Sequence, residues 1–501
     1  MGKKKSVNNY ANFKKQQQTL IAKQEQSEAE KKQRKTVAAI AGGVTAVLLA
    51  LIITVTSLVS ASGSAMRGRV ALSSGDRKID NAMLAYFFYS NLNDCLNMYH
   101  GSEVNVNKSL KNQEFEPGTS WYDYVMSITL SQTEELLTLA CGADAEGITL
   151  SDSDVAGIDK YFESLQQAAD SQKMSLDKFI SKSVCKGIKA GDVRKCLELS
   201  TLAEKYYETL CSRFNYTEAQ LNDYLQKNYN DFLCVDYKIN TFLYNIPSDA
   251  TEEEAGEIKE KNLNLAKELA ACKTLAEFDN YLREYLSDLN ASEETVNQTI
   301  SDTLIEGYEY ETEYDLGKWA FTQAKAVGET MILEGQNQYS VYMLAKTPYI
   351  RTDNTKNIRH ILLTPDSYGS DEAAFELAKR LKEYWQSGEA TAESFAALAT
   401  VYSEDPGSKS QGGLYANMEK DVMVTEFNDW CYDAARKPGD CDIVKTAYGY
   451  HIMYFQSQGM PYWQAKAREI LFETDYDAAF EELKQAHPIV EDDTFTVRDK
   501  K

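Results

Sequence analysis

Between Thr36 and Ser60 the chain carries no charged residue, and the run from Val37 to Val59 (VAAIAGGVTAVLLALIITVTSLV) is apolar almost throughout. At about 1.5 Å of rise per residue, a helix of this length crosses a hydrocarbon core of about 30 Å. The run therefore reads as a transmembrane anchor at 36–60 that separates a short segment, 1–35, from a long remainder. A cleaved signal peptide is the alternative, since Val59-Ser60-Ala61 offers small residues to a peptidase. Against it, the run exceeds the usual apolar region of about 7 to 15 residues, and the basic stretch before it is longer than an ordinary leader allows. Lys31, Lys32, Arg34 and Lys35 stand directly before the helix. The positive-inside tendency keeps them in the cytoplasm and places residues 61–501 outside it, which makes this a single-pass cell-membrane protein. Met1-Gly2 with Ser6 formally fits the N-myristoylation pattern, but a lipid adds little beside a membrane helix.

Charge follows the same division. The formal net charge is −23, yet residues 1–35 hold ten Lys or Arg against three Glu, so everything after them is more acidic than the total suggests. An acidic exported region repels nucleic acid, which is excluded as a partner. A length of 501 residues points to about three structural units, and 43% apolar residues are enough to give each a core. All nine cysteines (95, 141, 185, 196, 211, 234, 272, 431 and 441) lie in the exported part, with no CxxC. Their number and spacing fit no zinc or redox pattern, so they read as small core residues, with Cys431 and Cys441 left as a candidate pair across one turn. No metal or organic cofactor is expected. Only four histidines are present, and His100 and His487 have no partner pattern.

Residues 79–232 read as helices: Leu84, Phe87, Phe88, Leu92, Cys95, Leu96 and Tyr99 recur at helical spacing, as do Leu199, Leu202, Tyr206 and Leu210. Starts are marked by Ser151, Ser175 and Thr217, each followed by acids in the first turn. After Cys234 the pattern becomes an extended run (VDYKINTFLYNI), a helical stretch from about Glu252 to Leu286, and a second extended run (QYSVYMLAK). The same order returns after residue 356 as NIRHILLT, two amphipathic helices and GYHIMYFQ. Overlaying the runs puts Thr241 at His360 and Ser340 at His451, so one copy has both histidines and the other neither.

Within the second copy lie Arg359-His360-Ile361-Leu362, Tyr402-Ser403-Glu404-Asp405-Pro406-Gly407-Ser408 with Gly412-Gly413, Met423-Val424 followed by Phe427, and Thr446-Ala447-Tyr448-Gly449-Tyr450-His451-Ile452. In this order and spacing the segments resemble the parvulin-type peptidyl-prolyl isomerase domain. The helical region, in phrases such as FNYTEAQLNDYLQKNYNDF, is similar to the PrsA and SurA class of extracytoplasmic foldases.

The resemblance implies an α+β chain. Its parts are the basic segment at 1–35, the anchor at 36–60, a helical chaperone-like region at 79–232, a degenerate parvulin-like domain at 234–349, an isomerase domain at 350–458 and a helical, acidic tail at 459–501. Each parvulin-like domain is expected to be a small antiparallel sheet with helices around it. The resemblance also implies that His360, Asp405, His451 and Thr446 form the catalytic group, and that Met418, Met423 and Phe427 form the proline slot. The histidine pair is read equally as catalytic and as support for the sheet. The family's GGDLG is replaced by Gly412-Gly413-Leu414-Tyr415-Ala416, and Met418 stands where Phe is usual. Partners are X-Pro segments of unfolded or partly folded exported polypeptides, the membrane, and a second copy in a homodimer. The competing reading is a holding chaperone that uses the parvulin-like domains as binding arms.

Overall fold

A computed structural model of the chain describes residues 66–98, 104–492, 495 and 497–499. The expected anchor, the basic segment, Tyr99 and His100 lie outside the described residues. No helix among the described residues is long and apolar enough to cross a membrane. The chain divides into two compact units, one formed by residues 216–469 and the other by the described residues before 216 and after 469.

The second of these is mainly helical. It opens with a hairpin of β1 (Val70–Ser74) and β2 (Arg77–Asp80), followed by α1 (Asn81–Met98), a two-stranded ribbon of β3 (Glu114–Glu116) and β4 (Thr119–Ser120), and α2 (Trp121–Ala145). Then come α3 (Asp152–Ser171), α4 (Leu176–Ser183) and α5 (Ala190–Cys211). Ser151 and Asp154 form a capping box at the start of α3, and the Ser175 hydroxyl accepts from Lys178 N at the start of α4, as the sequence predicts. Leu84, Phe87, Phe88 and Leu92 from α1 are buried with Leu199, Leu202 and Tyr206 from α5.

Residues 470–499 are not a tail. Phe480, Leu483, Ile489 and Phe495 pack on this core, and Val497 is buried within it. Val490–Glu491 pairs with β1, and the Tyr122 hydroxyl donates to the Val497 carbonyl at 3.2 Å. Sequence periodicity cannot find this, because the partners lie hundreds of residues apart.

The other unit begins with α6 (Glu218–Lys227), capped by Thr217 and Gln220, which separates it from the helical region to which its sequence assigns it. It then builds one topology twice. Strands β5 (Leu233–Leu243), β6 (Leu304–Glu309), β7 (Thr330–Gly335) and β8 (Gln338–Ile350) form an antiparallel sheet in the order β6-β5-β8-β7. Strands β9 (Asn354–Leu363), β10 (Leu414–Met418), β11 (Cys441–Thr446) and β12 (Gly449–Pro461) repeat it as β10-β9-β12-β11. The expected single helical stretch after β5 is split where Thr274 caps a new helix, giving α7 (Glu252–Ala270) and α8 (Leu275–Asp288), with α9 (Glu293–Ser301) after them. The second copy has α10 (Asp371–Ser387) and α11 (Ala392–Tyr402) between β9 and β10, and α12 (Thr425–Tyr432) before β11. Helix α13 (Tyr462–Ala486) follows β12.

Each sheet has a helix-covered face. Phe242, Tyr339, Val341 and Met343 pack with Leu269, Phe278 and Leu282 in the first copy. Ile361, Leu363, Ile452 and Tyr454 pack with Ala378, Leu381, Trp385 and Phe395 in the second. The opposite faces differ: the first is filled by Tyr237, Tyr342, Trp319 and Leu344, whereas the second carries His360 and His451 among Ile358, Met453 and Phe455.

The strand overlay needs one correction. Thr241 lies directly opposite Ser340, whereas His360 lies opposite Met453 and His451 opposite Leu362. Ladder register depends on turns and bulges, and a slip of two residues keeps every side chain on its face. Cys431 and Cys441 do not pair either. All nine cysteines are free, and these two lie in separate cores on opposite faces of the sheet.

Removing residues 470–501 uncovers the apolar residues of β1, α1 and α2 that this segment packs against. We expect the truncated chain to lose several degrees of thermal stability and to bind a hydrophobic dye, and an unchanged melting temperature would contradict the packing.

Candidate active site

The second sheet brings the histidines together because β9 and β12 are neighbours and both rings project from the face opposite α10 and α11. His360 and His451 are 3% and 6% exposed, so each ring nitrogen must find a partner inside the protein. Their Nδ1 atoms lie 3.1 Å apart, with the rings nearly parallel at 15°. His451 Nε2 is 2.9 Å from the hydroxyl of Thr446, the last residue of β11. His360 Nε2 is 2.9 Å from Asp405 Oδ2 and 3.0 Å from Ser408 Oγ. One buried row thus runs Thr446, His451, His360, Asp405.

The backbone around Asp405 is tied to β9. Glu404 N donates to the Leu362 carbonyl at 2.9 Å, and the Ser403 hydroxyl accepts from Leu362 N at 3.2 Å. Beyond the loop, Gly413 has φ 74° and a Cβ there would come within 2.2 Å of the His360 carbonyl oxygen. Only glycine allows this approach, which lets His360 N donate to Gly413 O at 2.9 Å. The second glycine of the motif is therefore explained by strand contact at the histidine itself.

Beside the row lies an apolar wall. Met418 and Phe427 are buried and Met423 is half-buried, all in one cluster with Ile358, Met453 and Phe455. The Phe427 ring stands edge-on to both imidazoles, 5.3 Å from each. The altered GGLYANM element keeps Met418 in this wall by a local irregularity. The β9–β10 register shifts between Tyr415 and Met418, and Asn417 takes a left-handed conformation with φ 50°. Asn417 N donates to Asn357 Oδ1 at 2.7 Å, and its side-chain oxygen accepts from Met460 N at 3.0 Å. Asparagine tolerates this conformation better than most residues, and the bulge re-aims Met418 inward.

Burial pushes the His451 imidazole down to about 4, the charge at His360 adds to this, and Asp405 opposes it. His451 is neutral at pH 7. Burial alone would raise the Asp405 carboxyl, but the hydrogen bond and charge of His360, with the hydroxyls of Ser408 and Tyr415, hold it well below the usual carboxylate range. The ionised Asp405 carboxylate can only accept, so His360 donates Nε2–H to it. Between the rings one Nδ1 donates to the other, and the neutral His451 ring divides one donor and one acceptor between His360 and the Thr446 hydroxyl.

All four residues expected at the catalytic group lie in this row, and the three expected in the slot lie beside it. Two members were not singled out from sequence. Ser408 stands in the motif segment, is fully buried and bonds both Asp405 and His360. The Tyr415 hydroxyl donates to Asp405 Oδ2 at 3.0 Å, and the signal that could have found it is its place inside the altered glycine element.

Residues 342–459 match the model of the PPIC-type PPIASE domain, so this part of the chain is a parvulin-type peptidyl-prolyl isomerase domain. Among curated proteins, it is similar to the chaperone SurA of Pseudomonas syringae pv. tomato, 37% identical over 101 residues that make up 19% of this chain and 22% of that protein. It is also similar to foldase protein PrsA 4 of Bacillus cereus, 46% identical over 77 residues, 15% of this chain and 25% of that one. The matches thus span a quarter or less of these relatives. The crystal structure of PrsA from Bacillus cereus aligns with 61% of this chain and 91% of its own at 18% identity, with a TM-score of 0.20.

The imidazole has a pH signature. His451 titrates near 6.5 when unfolded and near 4 when folded, so between these values the unfolded chain binds the extra proton. Its contribution to stability is complete above pH 6.5 and is lost as pH falls toward 4. Asp405, also depressed, adds a loss in the same direction below the ordinary carboxylate pKa of about 3.9. We expect the melting temperature to fall between pH 6.5 and 4.5, and to fall less in His451→Gln. Equal falls in both proteins would contradict the burial of a neutral ring.

Proposed function

We propose that the chain is a membrane-anchored, extracytoplasmic peptidyl-prolyl cis/trans isomerase that assists folding of exported proteins. In this reading the N-terminus is cytoplasmic, and the substrates are X-Pro segments of unfolded or partly folded polypeptides. One observation carries the reading: a fully bonded, buried row from Thr446 to Asp405 stands against an apolar wall of Met418, Met423 and Phe427. Rotation about an X-Pro bond crosses a barrier of roughly 18–20 kcal/mol and needs no nucleophile. It needs a site that binds the twisted amide better than the planar one. The wall suits a proline ring, and the neutral His451 imidazole presents an oriented dipole rather than a full charge beside it.

The first sheet is the degenerate copy in this proposal. On the face where the second sheet carries the imidazole pair, Thr241 and Ser340 hydrogen-bond to each other at 2.8 Å. Its corresponding face is packed with Trp319, Tyr237 and Tyr342.

The helical unit supports the holding activity as a second function of the same protein. A cleft of about 440 Å³ there reaches Ile148 and Leu150 over the buried Met83, Leu137, Leu199 and Leu202, and its edge carries Asp76, Asp144 and Glu198 beside Arg77, Lys78 and Lys195. This mixed edge suits stretches of an unfolded chain in which apolar and charged residues alternate.

Acceleration of a refolding reaction limited by a cis proline tests the enzyme reading. We expect His451→Ala to lower the catalysed rate by about tenfold or more, and Met423→Ala to act mainly through KM, with the domain still folded. Absence of any acceleration by the unmodified chain would sink catalysis. Suppression of aggregation that survives replacement of both histidines would assign holding to other parts of the molecule.

A further inference from the structure

We propose that Tyr415 is a positioning residue of the isomerase site, whose hydroxyl holds Asp405 ionised and fixed against His360. The inference rests on the isomerase reading and adds a residue that the parvulin pattern quoted above does not include. Where the parvulin pattern GGDLG has leucine, this chain has Tyr415, and a leucine has no hydrogen-bond donor.

The geometry around one oxygen carries the argument. Asp405 Oδ2 receives His360 Nε2 at 2.9 Å, the Ser408 hydroxyl, and the Tyr415 hydroxyl at 3.0 Å. The carboxylate side chain is 16% exposed, so water supplies little of its solvation and these donors replace it. The Tyr415 ring also lies 5.3 Å from the His360 ring, tilted by 32°, and contributes to the wall beside Ile358 and Met418. Its placement is fixed by the strand: Tyr415 is opposite Ile358 in β9, directly before the irregularity that turns Met418 inward. One residue thus braces the carboxylate with its hydroxyl and the wall with its ring.

Asp405 fixes His360 Nε2 as a donor, because an ionised carboxylate can only accept. Protonated Asp405 has a donor of its own, and the order imposed on the His360 ring is lost. Loss of one donor makes that protonation easier. Tyr415 therefore acts on the reaction through Asp405 and widens the pH range over which the row stays ordered.

The test uses the full chain in detergent with the Tyr415→Phe variant, which keeps the ring and removes the hydroxyl. Isomerisation of a short X-Pro peptide is followed against pH. We expect KM to stay nearly constant and the fall of kcat that follows protonation of Asp405, below the His451 step near pH 4, to begin at higher pH in Tyr415→Phe. The Asp405 carboxyl carbon, labelled with carbon-13 and identified by its loss in Asp405→Asn, should titrate at higher pH in Tyr415→Phe. An unchanged carboxyl titration would overturn the proposal, whether or not the chain is active. A wild-type chain without isomerase activity would defeat the isomerase reading alone, and an upward shift of the carboxyl would still support the bracing of Asp405. If Tyr415→Phe does not fold, Tyr415→Leu, the residue of the family pattern, takes its place with the same two outcomes.

Discussion

The hydrogen bond between the Nδ1 atoms of His360 and His451 is the constraint on which the second sheet is organised. Two imidazoles can share one proton only if one of them is an acceptor, and an acceptor ring must be neutral. Burial secures a neutral ring at His451, and Asp405 holds the far nitrogen of His360 as a donor. The surrounding structure then has little freedom. The rings must come from adjacent strands on one face, at diagonal register positions. The Ser403–Ser408 loop must be fastened to β9, and Gly413 must be glycine for the next strand to pass the His360 carbonyl.

The duplication shows what the pair adds to a scaffold. Both sheets have the same strand order and the same helix-covered face, and both enclose an apolar cluster on the other side. Where the second has two rings, the first has two hydroxyls in direct contact. A tryptophan and two tyrosines complete the packing on that face. The first sheet thus forms without imidazoles, and the polar row with its neutral histidine is the feature on which the proposed isomerisation draws. The same comparison bears on the altered GGLYANM element. Its loss of an acid and a glycine leaves the wall closed, because Asn417 supplies the left-handed turn and Met418 fills the space.

Much of this was legible in the sequence where the signal is local. Helix starts at Ser151, Ser175 and Thr217 follow from side chains that cap their own turns. The site residues could be placed because four short segments keep their order and spacing along about 100 residues. Three features were not legible, each for a physical reason. The register of the two sheets differs by two residues, and no strand read singly contains its partner's alignment. The break at Thr274 lies inside a stretch whose apolar periodicity continues on both sides. The role of residues 470–499 depends on a core assembled from the other end of the chain. Tyr415 belongs to a fourth kind: its sequence departs from the family's pattern, and only the position of its hydroxyl gives the departure a meaning.

The central claim is that the histidine-bearing face of the second sheet, and not the matching face of the first, receives the X-Pro segment. Methyl NMR of the methionines during titration with a short X-Pro peptide tests it most directly, since Met418 and Met423 line the second face and Met331 lies on the first. The account requires shifts at Met418 and Met423 with Met331 unmoved. Shifts at Met331, or none at Met418 and Met423 at saturating peptide, would contradict it.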